Sequence, residues 1–159
     1  MSRALPILVF LTLAAGLVGC DQATKHLARR ELTGRVVPLV HRVLDLRHVE
    51  NRDVGFGLLR GIPYPVRRPL LTGLSSAAAA VIVVYWARRR AAGWTLTAGC
   101  AVLLAGVVGN LVDRALRGSV TDFVHLHGWP VFNVADACIV AGAALVFLAL
   151  RRRPAARPG

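Results

Sequence analysis

Residues 128–150 read GWPVFNVADACIVAGAALVFLAL, a run of 23 positions in which Asp136 is the sole charge. A helix rises about 1.5 Å per residue, and a hydrocarbon core of about 30 Å takes roughly 20 residues to cross. The stretch therefore predicts a membrane-spanning helix. Three further runs pass the same test: 4–20, 69–87 and 91–112, with 17, 19 and 22 residues and no charge in any of them. One such run could be a buried core helix. Four in a chain of 159 residues leave too little polar sequence to cover them. The expected fold is an all-α integral membrane protein, a four-transmembrane-helix bundle in a single domain over 1–159, with an insert at about 21–68.

Composition agrees: 55% of the chain is apolar, 18% is charged and the mean hydropathy is +0.56, which excludes a disordered tail and a solvated binding module. The formal net charge is +12, yet 19 of the 20 cations are Arg, set beside the apolar runs and not mixed with aromatics. That pattern marks membrane topology, and no nucleic-acid partner is expected. The three cysteines, Cys20, Cys100 and Cys138, are scattered in apolar stretches with neither a disulfide framework nor metal-ligand spacing.

Four spans return both termini to one side. Arg3, the cluster Arg88-Arg89-Arg90, and Arg151-Arg152-Arg153 with Arg157 would share it, with no acid among them. Density of cations near span ends orients a helix, so both termini are expected in the cytoplasm. Trp86, Trp94 and Trp129 stand at span ends as interfacial anchors would, although packing explains each equally well. Leu17-Val18-Gly19-Cys20 is similar to a lipobox. Only Arg3 precedes the apolar stretch and three more spans follow, so the run is read as a retained span.

In the insert, Ala23 to Leu32 reads as a helix continuation or a short surface helix. Val36 to Val49 has β-branched and apolar residues interrupted by Arg and His, as short strands of a small sheet do. Gly55, Gly57, Gly61, Pro63 and Pro65 then punctuate a loop.

Ionisable groups at membrane depth are expensive and are by default functional candidates. Asp21 and Lys25 leave the first span, and Asn51 lies in the insert. Asn110, Asp113 and Arg114 close the third span, Asp122 lies in the second long connection, and Asn133 and Asp136 open the fourth. The topology brings all of them to one face, opposite the Arg88–Arg90 turn. Asp113 is expected to pair locally with Arg114. Asn133 and Asp136, three apart on one helix face, allow the amide to orient the carboxyl. Asp122 sits in an extended apolar segment, Val120 to Val124. Neither it nor Asp136 has an adjacent cation. Two carboxyls brought together share a proton, so that one activates water while the other protonates a carbonyl oxygen. That is aspartyl peptide hydrolysis; spacing alone does not separate it from a proton relay.

Five ordered blocks, taken together, resemble the bacterial lipoprotein signal peptidases (signal peptidase II). They are Asp21-Gln22-Ala23-Thr24-Lys25; Asn51 with Phe56-Gly57-Leu58-Leu59; Gly109-Asn110-Leu111-Val112-Asp113-Arg114; Gly118-Ser119-Val120-Thr121-Asp122-Phe123; and Phe132-Asn133-Val134-Ala135-Asp136. The resemblance implies a four-helix membrane bundle with a small extracytoplasmic β-cradle and a short surface helix, in the bacterial inner membrane. It implies catalytic aspartates at Asp122 and Asp136, with Asp21, Lys25, Asn51, Asn110, Arg114 and Asn133 supporting the site or binding substrate. The implied reaction is removal of the signal peptide from diacylglyceryl-modified prolipoproteins, just before the lipidated Cys; no cofactor or metal is expected, and a pair carried by one chain leads to the expectation of a monomer. One departure stands out: Arg52-Asp53-Val54-Gly55-Phe56 carries Asp53 where the family usually has Gly.

Three rival readings stand beside this one. His125-x-His127 puts two imidazoles on one side of a strand, and Asp122 could complete a metal set; the bland reading is a pair of wetted interfacial histidines. A transporter would need polar residues through the whole depth, but spans one and two and the cytoplasmic halves of three and four are almost wholly apolar. A membrane scaffold would be indifferent to losing either aspartate.

Overall fold

The computed structural model describes residues 4–53, 59 and 61–151. Within them the elements run α1 (Ala4–Glu31), β1 (Val36–Val40), β2 (Leu44–Asn51), α2 (Tyr64–Arg89), α3 (Trp94–Arg117), β3 (Val120–Leu126) and α4 (Val134–Arg151), with a 3-10 turn at Arg90–Ala92. All four helices are long and apolar enough to cross a membrane. Most of their apolar surface faces outward, as lipid contact requires: Leu8, Leu11, Val81, Val140 and Phe147 are all exposed.

The third helix is the axis of the bundle. Half of its apolar window is buried, against 11–17% in the other three. Helices in lipid gain little from hydrophobic association and rely on close packing, so small residues gather where they meet. A Cβ on Gly106 would run into Ala135 O, and one on Gly142 into the backbone of Leu103. α3 and α4 therefore touch backbone to backbone, and their polar ends are held in register. At the Arg-rich end, Phe10 of α1 stacks on Trp86 of α2 with centroids 3.8 Å apart, and the Trp86 indole donates to Thr97 Oγ1 of α3 at 3.3 Å. Trp86 is thus buried packing and not an interfacial anchor, whereas Trp94 and Trp129 are exposed.

At the opposite end, β1, β2 and β3 form an antiparallel sheet in that order. The insert supplies two strands and the segment between α3 and α4 the third. Gly118 makes the turn out of α3: it adopts φ 78°, its N–H donates to Arg114 O, and Tyr64 Oη donates to its carbonyl at 3.0 Å. α1 continues unbroken through Cys20 to Glu31, so Ala23 to Leu32 is a helix continuation. Among the described residues no separate surface helix stands between β2 and α2. The Phe56-Gly57-Leu58 block and Val54-Gly55, like Arg3, Arg152, Arg153 and Arg157, lie outside the described residues.

The last helix begins later than the apolar run that announced it. Gly128 to Phe132 are non-helical, with Phe132 bridged to Val124 of β3. α4 starts at Val134 because Asn133 caps it. The Asn133 Oδ1 accepts the Asp136 N–H at 3.0 Å, and Asp136 Oδ2 accepts the Asn133 N–H at 3.2 Å, a reciprocal capping box. Asp136 accordingly lies in the first turn of its helix.

Candidate active site

The capping box places one carboxyl at a helix start; the sheet places the other. Asn51↔Val120 and Val49↔Asp122 are in register across β2 and β3, so Asp122 is carried by the middle of a paired strand. Its two oxygens accept from two amides, Asn51 Nδ2 at 2.9 Å and Asn133 Nδ2 at 2.6 Å. Asp136 accepts from Asn110 Nδ2 at 2.8 Å and from the Asn133 backbone. Asn133, itself wholly buried, therefore binds both carboxyls, Asp122 with its amide and Asp136 with its backbone. Its amide also reaches Asn110 Oδ1 at 3.2 Å, which closes a ring of Asn133, Asn110 and Asp136, with Asp122 and Asn51 branching from Asn133.

Behind the ring lies a buried ionic core. Lys25 Nζ, fully buried, touches Asp21 at 2.9 Å and Asp113 at 3.1 Å and donates to Asn110 Oδ1 at 3.0 Å. Asp21 Oδ1 accepts the Ala135 N–H at 2.9 Å, which ties α1 to the first turn of α4. The fit is close enough that a Cβ on Gly109 would stand 2.6 Å from Asp21 Oδ2. Asp113 does not pair with Arg114. Neighbouring side chains on a helix diverge, and Asp113 instead meets Lys25 and, one turn on, Arg117 at 2.9 Å. It also accepts the Thr121 N–H at 3.2 Å, fastening β3 to the bundle.

Arg114 is thereby released for other work. It lines a cavity of about 180 Å³ together with Asp122, Asp136, Asn51, Asn110 and Asp53, and donates to Ser75 Oγ at 3.4 Å. Trp129, Pro130, Val131 and Phe132 line it too, so apolar side chains share the cavity wall with the carboxyls. Burial drives the Asp122 carboxyl up to about 6; the Asn51 hydrogen bond opposes that shift and the neighbouring Asp136 charge adds to it. One strongly raised carboxyl beside a second is the condition for holding a single proton between them.

All eight residues expected at the site converge: Asp122, Asp136, Asn51, Asn110 and Arg114 on the cavity, with Asn133, Lys25 and Asp21 directly behind. The supposed set of Asp122 with His125 and His127 does not form. A spacing of three on a strand points to opposite faces, and both imidazoles turn to Asp45 of β2. Asp53 is absorbed locally: its carboxylate meets Arg67 at 3.2 Å, and its N–H donates to Asn51 Oδ1 at 2.9 Å, which turns the Asn51 amide toward Asp122. Two groups escaped the sequence reading. Gln22 donates to Asp21 Oδ2 and to Gly109 O, and Glu50 accepts from Ser119 and Thr121 across the sheet. Gln22 lies inside a quoted block and was open to notice; the Glu50 contacts rest on strand register.

Comparison with known proteins decides the family. The model of a family described as signal peptidase (SPase) II matches residues 13–152. The chain belongs to the signal peptidase II family. It is 35% identical over 144 residues to a lipoprotein signal peptidase of Aquifex aeolicus, covering 88% of this chain and 84% of that one. A lipoprotein signal peptidase of Azoarcus sp. is 34% identical over 157 residues, covering 96% and 88%. The fold is shared with a solved bacterial membrane enzyme at a TM-score of 0.81 and 22% identity, over 95% of this chain and 94% of the other. As a signal peptidase II the chain is an aspartyl peptidase with a four-helix membrane fold and a three-stranded sheet.

Proposed function

We propose that the chain removes signal peptides from diacylglyceryl-modified prolipoproteins, with Asp122 and Asp136 as its catalytic pair. The observation that carries this reading is the single buried asparagine bonded to both carboxyls, one borne by a strand and one by a helix, both lining one cavity. Asp122, the more strongly buried of the two, carries the shared proton, and Asp136 takes one from a water between them. The water attacks the scissile carbonyl while Asp122 protonates its oxygen; Asp136 then gives the proton it took to the amide nitrogen as the C–N bond breaks, and the collapsing gem-diol returns one to Asp122. Asn51, Asn110 and Asn133 hold the carboxyls in place, and Arg114 is positioned to bind the substrate backbone. Both carboxyls belong to one chain, so a monomer suffices.

The substrate chemistry follows from depth. A signal helix lies in the bilayer and its diacylglyceryl group anchors the cleavage site at the outer leaflet. The pair stands at the sheet-bearing ends of the helices, in a cavity also lined by Trp129, Val131 and Phe132. Binding energy from the lipid thus positions the reacting bond. The purified chain is expected to cut a diacylglyceryl-modified precursor just before its modified Cys and to leave the same precursor unmodified intact. Equal cleavage of both forms would remove the lipid from the specificity argument, and cleavage of neither would remove the activity.

The bacterial inner membrane is the corresponding location, with both termini cytoplasmic. The Arg88–Arg90 turn and Arg151 mark one end of the bundle, and every described acid except Glu31 lies in a buried network or on the sheet at the other. A cysteine at Ala91→Cys is expected to react with an impermeant maleimide in inverted vesicles only; reaction in intact cells would reverse the topology.

Acidity supplies another check. The productive state carries one proton on the pair, and with Asp122 near 6 that state is lost as pH rises through this value. The kcat/KM profile of the free enzyme is expected to fall tenfold per pH unit above about 6. A profile flat to pH 9 would mean that Asp122 does not act as the acid.

A further inference from the structure

The described chain holds one cluster that the proposed hydrolysis leaves idle. Asp45 of β2 faces His125 of β3 in register, and His127 follows two residues on, on the same face of the strand. His125 Nδ1 and His127 Nε2 stand 3.1 and 2.9 Å from a single oxygen, Asp45 Oδ2. The three ligand atoms lie within 4.8 Å of one another. From these residues we infer that Asp45, His125 and His127 form a zinc-binding site on the outer face of the sheet, separate from the carboxyl pair.

Geometry and donor type both favour it. Tetrahedral zinc with bonds of about 2.0–2.1 Å separates its ligand atoms by about 3.3 Å. The two nitrogen-to-oxygen edges are already close to that, and closing the imidazole pair, whose rings stand 5.0 Å apart, takes only small side-chain rotations. Two imidazoles and one carboxylate suit zinc and not magnesium or calcium, which take oxygen ligands. A neutral imidazole can bind through either nitrogen by moving its proton to the other, so no net deprotonation is needed. The fourth position opens to water, since the His127 side chain is 43% exposed.

Arg47 shapes the site in two ways. Its Nε donates to Asp45 Oδ1 at 2.8 Å, the outer contact that fixes a liganding carboxylate. Its Nη2 also reaches Oδ2 at 2.9 Å, and its positive charge opposes a dication. A dissociation constant on the order of 1 μM is therefore expected, far weaker than in four-ligand structural sites. Bound zinc would clip β2 to β3 at the start of the His127–Trp129 turn, and Trp129 lines the cavity that holds Asp122 and Asp136. Occupancy would stiffen one wall of the site without entering it.

Zinc titrated calorimetrically into the full, untagged, chelator-stripped chain in detergent should bind once per chain. The thermal midpoint should rise by several degrees with excess zinc. His127→Gln, at a half-exposed position, should weaken binding at least tenfold with the metal-free midpoint unchanged, and His125→Gln with His127→Gln should abolish it. Arg47→Gln should tighten it. The Asp122→Asn and Asp136→Asn variants should bind as the parent does, whether or not they hydrolyse anything. Absence of binding up to 1 mM zinc, on the order of a thousand times the expected constant, overturns the inference. So does binding that survives both histidine substitutions, or binding that is lost with Asp122 or Asp136.

Discussion

Asp136→Asn is expected to cut a diacylglyceryl-modified precursor roughly 1,000-fold or more slowly than the parent chain, and Asp122→Asn to match it. The chemistry needs one proton and one vacant carboxylate lone pair between the two groups. An amide in either place removes the acid or the base. The residual rate should be similar in the two variants and in their double, because groups that act as a unit lose their joint contribution at the first substitution. Folding should survive. Asp136 receives donors on both oxygens, from Asn110 and Asn133, and an amide keeps one of these contacts and turns an NH2 toward the other. That mismatch costs about 1–3 kcal/mol, well short of unfolding. Cleavage of a modified precursor by both variants at more than a tenth of the parental rate, with thermal midpoints near the parent's, would remove the pair from the mechanism.

The largest stability loss is expected at a residue that touches no substrate. Lys25→Met removes the ammonium between Asp21 and Asp113, both of which are shielded from solvent. Burying two charges is tolerable only with a partner in place, and stripping one partner from a buried pair costs about 3–5 kcal/mol. Asp113 retains Arg117, and Arg29 at 3.9 Å, so the greater part of the damage falls on Asp21. Asp21→Asn in the same chain should therefore restore a good part of the loss, more than Asp113→Asn does. Thermal unfolding in detergent measures this directly. Lys25→Met within a degree of the parent would show that the ammonium is dispensable. Activity should fall as well, because Lys25 also donates to Asn110, whose amide holds Asp136.

The bundle was legible in the sequence because a membrane span is a property of composition over roughly 20 residues, and composition survives without knowledge of neighbours. The clustering of Asp21, Lys25, Asn110, Asn133 and Asp136 at one end was legible for a related reason: helix direction alternates, so a polar residue near a span end has only two places to go. What could not be read depends on partners distant in the chain. Asn51 meets Asp122 only because β2 and β3 pair with Asn51 opposite Val120. Nothing in either segment fixes that register. The errors share an origin in proximity along the chain. Asp113 was matched to Arg114, its neighbour, although the helical repeat places Arg117 on its face. The rival metal set of Asp122 with His125 and His127, already the weaker reading, leaned on the same proximity, although a strand's twofold repeat separates Asp122 from His125. For Trp86, position beside the Arg turn leaves anchor and packing equally open, and the ring is used against Phe10. The start of α4 was set by where the apolar run begins. A capping asparagine six positions in was the stronger signal.

One proposed acid rides on the sheet and the other on a membrane helix, and only the docking of sheet on bundle unites them. A newly inserted chain whose helices are in place but whose outer strands have not yet paired carries no complete hydrolytic centre. Assembly of the last strand thus doubles as a safety catch, keeping a protease inert in the bilayer until its own folding is finished.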